Sequence, residues 1–147
     1  MAMNDAATNH YALTGALGAG LPGLILQFVM CLALLGVGVW IYTKVTPFHE
    51  YELLRKGNVA AATVLSGAVV ALAFPLAALL ATTSSYVDIL VWGTVAVALQ
   101  LITVIVLSHV LRGMMGMIEA GQVAGALPIV AAQLAVGLLN AAAMMPA

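Results

Sequence analysis

All but one of the charged residues of this chain lie outside four long apolar segments, and this separation constrains the fold more than any other feature. Each segment has 22 or 23 residues, and the one charged residue among them is Asp88, the second residue of the third segment. As a helix with about 1.5 Å rise per residue, such a segment is roughly 33–35 Å long and crosses a hydrocarbon core of about 30 Å with some tilt. The chain is therefore predicted to be an all-α membrane protein with four transmembrane helices. The segments are Pro22–Thr43, Val59–Ala81, Val87–Ser108 and Val123–Met145.

Composition excludes several classes of protein. Of the 147 residues, 65% are hydrophobic and 6% are charged, whereas a soluble domain has about 25% charged residues. The formal net charge of −1 gives no electrostatic footprint for nucleic acid. The lone cysteine, Cys31, falls inside the first segment and has no partner for an intrachain disulfide. The lipid bilayer is the expected partner, and no nucleic acid is.

The four basic residues are distributed unevenly between the connections. Lys44, Arg55 and Lys56 fall in the first connection and Arg112 in the third, while the amino terminus and the second connection have none. Because short loops rich in Lys and Arg stay in the cytoplasm, both of these connections are predicted to be cytoplasmic. Both termini then lie outside, in the periplasm of a Gram-negative cell, and the chain resides in a bacterial inner (plasma) membrane.

A shift of 64 residues aligns the chain with itself. Gly57–Ala62 (GNVAAA) then falls on Gly121–Ala126 (GQVAGA). We interpret this as two copies of one unit, each with a span, a connection and a span. Two spans return the chain to its starting side, so the copies are parallel. The predicted organisation is an exposed or interfacial tail at 1–20 and two-span repeats at 21–81 and 82–147.

The tail is not expected to form a long helix, since Gly15, Gly18 and Gly20 interrupt it. The first 43 residues contain no Lys or Arg, so no cleaved signal peptide is expected.

Each of the two basic connections is predicted to contain a short interfacial helix. In the first, Thr46 is placed to cap the helix, Pro47 suits its first position, and Gly57 is placed to end it. Asn58 is then expected to cap the second span. One interpretation is that these short helices only connect the spans at the membrane interface. The alternative is that they form a docking surface for a cytoplasmic protein. The docking candidates are Phe48, His49, Glu50, Tyr51, Arg55 and Lys56.

No catalytic, cofactor or metal site is predicted. His49 and Glu50 are too few for a metal ion, which needs three or four ligands. Ser108 and His109 are adjacent, so on a helix their side chains diverge by about 100° and do not form a dyad by themselves. The chain is therefore not expected to be an enzyme.

Polar and small residues inside the spans are predicted to hold the helices together. Gln100 and Gln133 lie near the midpoints of their spans, where an amide must bond to a neighbouring helix for roughly 0.5–2 kcal/mol. The alternative is that they line a polar cavity or a subunit interface. Pro75 frees a backbone carbonyl of the second span. The candidate polar-core and helix-packing residues are Gln100, Gln133, Asn140, Thr63, Ser66, Gly67, Gly121, Gly125 and Gly137.

Several short sequences, in order and spacing, resemble a known family. Ile41–Pro47 (IYTKVTP), then His49-Glu50, then Gly57–Ala62, and the closing Gly137–Met145 (GLLNAAAMM) are similar to the YjfL-like small bacterial inner-membrane proteins, domain of unknown function 350. The resemblance implies paired two-span units. It implies no activity and no functional residue. By the association of relatives with membrane-remodelling proteins, it implies a role in envelope stress.

Three functions remain open at this point. The first is a non-enzymatic scaffold or anchor that forms homo-oligomers, which the surplus of small residues favours. The second is a channel or transporter for an ion or small solute. The third is an accessory subunit of a larger membrane complex, such as a respiratory enzyme.

Overall fold

The elements formed by the described residues are six α-helices. The computed structural model describes the backbone of residues 2–46 and 49–145. Within these ranges it describes the surroundings of Gly15, Gly18 and every residue from 20 onward. Four helices are long and apolar enough to cross a membrane: the first from Gly20 onward, the third, the fourth and the sixth. The predicted all-α membrane fold is thereby confirmed. The helices are α1 (Ala2–Val45), α2 (Glu50–Arg55), α3 (Val59–Thr82), α4 (Tyr86–Val110), α5 (Arg112–Glu119) and α6 (Val123–Ala143).

The amino-terminal segment belongs to α1. This helix is continuous from Ala2 to Val45, so the prediction that Gly15, Gly18 and Gly20 prevent a long helix is wrong. Each glycine costs about 1 kcal/mol relative to alanine, but a helix that already spans the bilayer extends without a new nucleation step. The division into a tail and two repeats stays a prediction.

The helices α3 and α6 form the centre of the bundle, with the most extensive contact between any two elements. Gly137 of α6 lies directly against the backbone of α3, and a Cβ there would be 2.5 Å from the carbonyl oxygen of Ala71. Pro75, four residues after Ala71, has no N–H to donate to that carbonyl. A proline and a glycine therefore let two backbones meet at the centre of the bundle.

The short helix α2 starts later than predicted. Its first residue is Glu50, preceded by His49, which makes no side-chain capping bond. Thr46 does not cap it, because its hydroxyl donates to the backbone oxygen of Tyr42 at 3.0 Å and so ends α1. Pro47 lies outside the described residues.

Glycine ends both connections. Gly57 and Gly121 have φ values of +76° and +79°, in the left-handed region that favours glycine after a helix. They are 64 positions apart, as are the first residues of α3 and α6, Val59 and Val123. This regularity agrees with the proposed duplication. The contacts between helices are less regular. The shift of 64 residues places α1 on α4 and α3 on α6, yet α4 packs on α3 while α1 makes few contacts with α6. The repeat therefore stays a prediction.

Asn58 ties the two connections together. Its side-chain oxygen accepts the backbone N–H of Ala61 at 2.9 Å, as predicted for the cap of this span. Its amide nitrogen donates to the carbonyls of Ile118 at 2.8 Å and Glu119 at 3.2 Å. The ends of α2 and α5 are thus held side by side. We call this end of the bundle, with Lys44, Arg55, Lys56 and Arg112 on or near its helices, the basic end.

Replacing Asn58 by alanine is expected to lower the free energy of unfolding by about 1–2 kcal/mol, because the cap of α3 and the link to α5 are lost together. Gln122→Ala is the matched control, since Gln122 stands at the same position before α6 and makes no side-chain capping bond. Thermal unfolding of detergent-purified variants, followed by circular dichroism, measures the difference. Equal effects of the two substitutions contradict this role of Asn58.

Candidate functional site

A buried carboxylate, Glu50, lies at the basic end. Its residue is 1% exposed, although His49 and Tyr51 on either side are exposed. Because α2 packs against α3, the first turn of this short helix directs Glu50 inward. Neither carboxylate oxygen accepts a well-formed hydrogen bond from the residues that the structure describes, although the hydroxyl groups of Thr46 and Tyr42 lie nearby.

The surroundings of Glu50 favour its neutral form. Burial raises the pKa of Glu50 from 4.5 to about 7, and the hydroxyl groups of Thr46 and Tyr42 oppose that rise. Among the described side chains, Lys56 forms its ion pair with Glu52 at 2.7 Å, and no cation pairs with Glu50. The carboxyl group is therefore placed to change its charge near neutral pH.

Polar side chains continue from Glu50 into the membrane-spanning part of the bundle. Tyr42, also 1% exposed, neighbours Glu50. Its hydroxyl accepts a hydrogen bond from Nε2 of Gln133 at 3.3 Å. The backbone oxygen of Gln133 accepts one from Nε2 of Gln100 at 2.9 Å. Four helices, α1, α2, α4 and α6, thus contribute to one polar cluster, which we call the Glu50 cluster: Glu50, Tyr42, Gln133 and Gln100.

An open cleft of about 520 Å³ borders Glu50. Glu50 is buried and borders the cleft from beneath, and its part in docking stays a prediction. The docking candidates His49, Tyr51, Arg55 and Lys56 are exposed around the cleft, and Phe48 lies outside the described residues. The cleft is lined by Thr43, Lys44, His49, Glu50, Tyr51, Glu52, Arg55 and Lys56.

The five polar residues predicted inside the spans fall into two groups. Gln100, Gln133 and Asn140 are buried, and Nδ2 of Asn140 donates to a backbone carbonyl of α4 at 3.0 Å. Thr63 instead bonds to a carbonyl of its own helix at 2.8 Å, and Ser66 is exposed. The two groups do not form one polar path.

Three of the four candidate glycines lie at contacts between helices. A Cβ on Gly67 would be 2.7 Å from a valine side chain of α6, and one on Gly125 would be 2.7 Å from a methionine Cβ of α5. Gly137 meets the backbone of α3. Gly121 differs, because nothing lies within 4 Å of its added Cβ and its place is in the turn after α5.

Ser108 and His109 share one acceptor at the end of α4. Oγ of Ser108 donates to the carbonyl of Ile105 at 2.7 Å, and Nδ1 of His109 lies 2.8 Å from the same oxygen. The two side chains are 3.5 Å apart, at the outer limit of a hydrogen bond. In the described part of the chain, no three His, Cys, Asp or Glu side chains come together as a metal site.

The burial of Glu50 was not predicted from the sequence. Glu50 and Leu53 are three residues apart and so share a helix face, and Leu53 packs against the buried core. Tyr51 and Leu54, which are 62% and 36% exposed, lie on the other side. A leucine one turn after a glutamate was the available signal, and it is a weak one.

Comparison with known proteins assigns the family. Residues 16–144 match the family described as Domain of Unknown Function (DUF350). The chain belongs to the DUF350 family. This DUF350 chain is 28% identical over 117 residues to the UPF0719 inner membrane protein YjfL of Escherichia coli strain K12, and equally to that of Escherichia coli O157:H7. The match covers 80% of the chain and 89% of each relative. No solved structure matches. With its four apolar helices, the chain is a multi-pass membrane protein.

Proposed function

We propose that this DUF350 chain is a non-enzymatic scaffold of the inner membrane, which associates with itself in the bilayer and holds a cytoplasmic protein at the basic end. One observation carries the proposal: an open groove between α3 and α6, lined in part by small and hydroxyl-bearing residues of α3. It has a volume of about 430 Å³, and Val59, Ser66 and Val70 in its lining are exposed. Its lining residues are Val59, Ala62, Thr63, Ser66, Gly67, Val70, Val130 and Leu134.

Such a groove suits a second helix. Small residues let two backbones approach closely, and a hydroxyl group such as that of Ser66 gains a bonding partner that lipid does not offer. The polar groups of the Glu50 cluster and Asn140 are buried and so are not available for association, whereas Ser66 in the groove is exposed.

The distribution of charge and the names of the relatives support the proposed placement in the cell. Both relatives are named inner membrane proteins. Lys44, Arg55, Lys56 and Arg112 gather at the basic end, which supports a cytoplasmic position for that end and a periplasmic one for both termini. His49, Tyr51, Arg55 and Lys56 then form the surface offered to a cytoplasmic partner. A role in envelope stress stays a prediction.

Cysteine cross-linking in native membranes tests the association. In a Cys31→Ala background, Ser66→Cys is expected to give a disulfide-linked dimer on mild oxidation. Thr103→Cys is the control, since it lies seven residues from the basic end of α4 as Ser66 lies seven from that of α3. Equal cross-linking at both positions contradicts the groove. Migration of the native chain only within a much larger complex favours an accessory subunit instead.

A second candidate is a channel or carrier for a small solute. The side-chain oxygens of Gln100 and Gln133 are buried and have no donor among the residues described, which is unusual for groups that serve only to join helices. Flux of ions through liposomes that contain the inserted protein tests this function. A leak above that of empty liposomes supports it, and its absence removes it.

A further inference from the structure

The buried side-chain atoms without a hydrogen-bond partner share one chemical property. In the described part of the chain there are four of them, both oxygens of Glu50 and the amide oxygens of Gln100 and Gln133. All are acceptors, and their residues are 1–2% exposed. Burying such an oxygen without a donor costs about 1–3 kcal/mol, and more when it carries charge. The Glu50 cluster therefore has more hydrogen-bond acceptors than donors, and no cation pairs with the Glu50 carboxylate when that group is ionised.

We propose that the Glu50 cluster is a binding site for a small monovalent metal cation such as Na⁺, reached from the cleft at the basic end. The Glu50 carboxylate, the amide oxygen of Gln133 and the hydroxyl oxygen of Tyr42 are its ligands. Carboxylate, carbonyl and hydroxyl oxygens are the hard ligands that hard cations prefer. A single carboxylate balances one positive charge, which selects a monovalent ion.

The other ways of filling the site fit less well. A proton neutralises Glu50 but bonds to only one of the four buried oxygens that lack a donor. A water molecule donates two hydrogen bonds and brings no charge. A metal cation supplies charge and contacts several oxygens at once. The amide of Gln133 is well placed for this, since its nitrogen is 3.3 Å from the Tyr42 hydroxyl and its orientation in the structure follows from hydrogen bonding alone.

Among the described residues, Lys44, Arg55, Lys56 and Arg112 are all exposed, so no Lys or Arg there supplies a buried positive charge. The helices α3 and α6 contain no titratable side chain. Lys56 is paired with Glu52, and Glu119 of α5 lines a neighbouring groove beside His49. The other titratable groups around the cleft, besides Glu50 itself, are Tyr42, Lys44, Tyr51, Arg55 and the exposed Glu52.

Thermal unfolding of the full chain in nanodiscs, with Na⁺ itself as the probe, tests the site. At about pH 8.5, where Glu50 is ionised, NaCl is expected to raise the midpoint by about 3–6 °C over N-methyl-D-glucamine chloride of equal ionic strength. Glu50→Gln is expected to abolish the shift, and Glu52→Gln, on the same short helix, to keep it. At about pH 5 the wild-type shift is expected to disappear, because protons occupy Glu50.

A second variant separates ion binding from folding. Gln133→Leu keeps the carboxylate and removes an oxygen ligand, so it is expected to weaken binding of radioactive Na⁺ at least about tenfold. The proposal is overturned if the wild type has the same midpoint in both salts at high pH, which leaves Glu50 with protons alone. It is also overturned if Glu50→Gln retains saturable Na⁺ binding. Both outcomes are independent of whether the chain self-associates.

Discussion

Replacing Gly137 by alanine destabilises the folded chain by about 1–3 kcal/mol, the usual cost of overpacking a filled interior. The added Cβ would lie 2.5 Å from the carbonyl oxygen of Ala71 and 3.0 Å from its Cα. These are backbone atoms, so the clash is relieved only if α3 and α6 move apart. Because this helix pair is the largest contact of the bundle, the effect is expected to be among the largest of any single methyl group added to the chain.

Gly36→Ala is the matched control for this substitution. Gly36 is exposed in α1, and nothing lies within 4 Å of an added Cβ. The same change is expected there to be neutral or to stabilise by up to about 1 kcal/mol, since alanine forms helices more readily than glycine. Thermal unfolding of both variants measures the difference. Equal stability of the two variants contradicts the close contact of α3 with α6.

Raising the pH from about 4.5 to about 7, in a buffer without small metal cations, destabilises the folded chain by about 3 kcal/mol. The pKa of Glu50 is raised by burial from 4.5 to about 7. Over that range the unfolded chain releases its proton while the folded chain keeps it. Stability therefore falls as the pH rises through this window and levels off above it, where Glu50 is ionised in both states.

Glu50→Gln is expected to remove most of this pH dependence and to be more stable than the wild type at about pH 8, because a neutral amide replaces a buried charge. Glu52→Gln is expected to keep the wild-type dependence. Glu52 is exposed and paired with Lys56, which lowers its pKa. Unfolding midpoints at a series of pH values make the comparison. Identical pH profiles for Glu50→Gln and the wild type rule out this role for the buried carboxylate.

The parts of the fold that depend on local chemistry could be predicted from the sequence. The four spans follow from the positions of charged residues, which cannot enter lipid cheaply. The Gly57-Asn58 step before α3 follows from the backbone and capping preferences of these two residues. The family could likewise be predicted from short sequences such as Gly57–Ala62.

The parts that depend on how helices face each other could not. The sequence of α2 places apolar residues on both of its sides, so composition alone does not decide whether Glu50 or Tyr51 turns inward. The bond from Gln100 to the backbone of Gln133 depends on the relative heights of α4 and α6. The start of α2 at Glu50 depends on Thr46, whose hydroxyl bonds back to α1 instead of capping α2.

We propose a four-span bundle whose basic end, with the Glu50 cluster, lies in the cytoplasm. Labelling of single cysteines with a membrane-impermeant maleimide tests it most directly, using Ser84→Cys, Arg55→Cys and Arg112→Cys in a Cys31→Ala background. In intact spheroplasts, position 84 is predicted to react, and positions 55 and 112 to react only after the membrane is opened. Labelling of positions 55 and 112 from opposite faces contradicts the account.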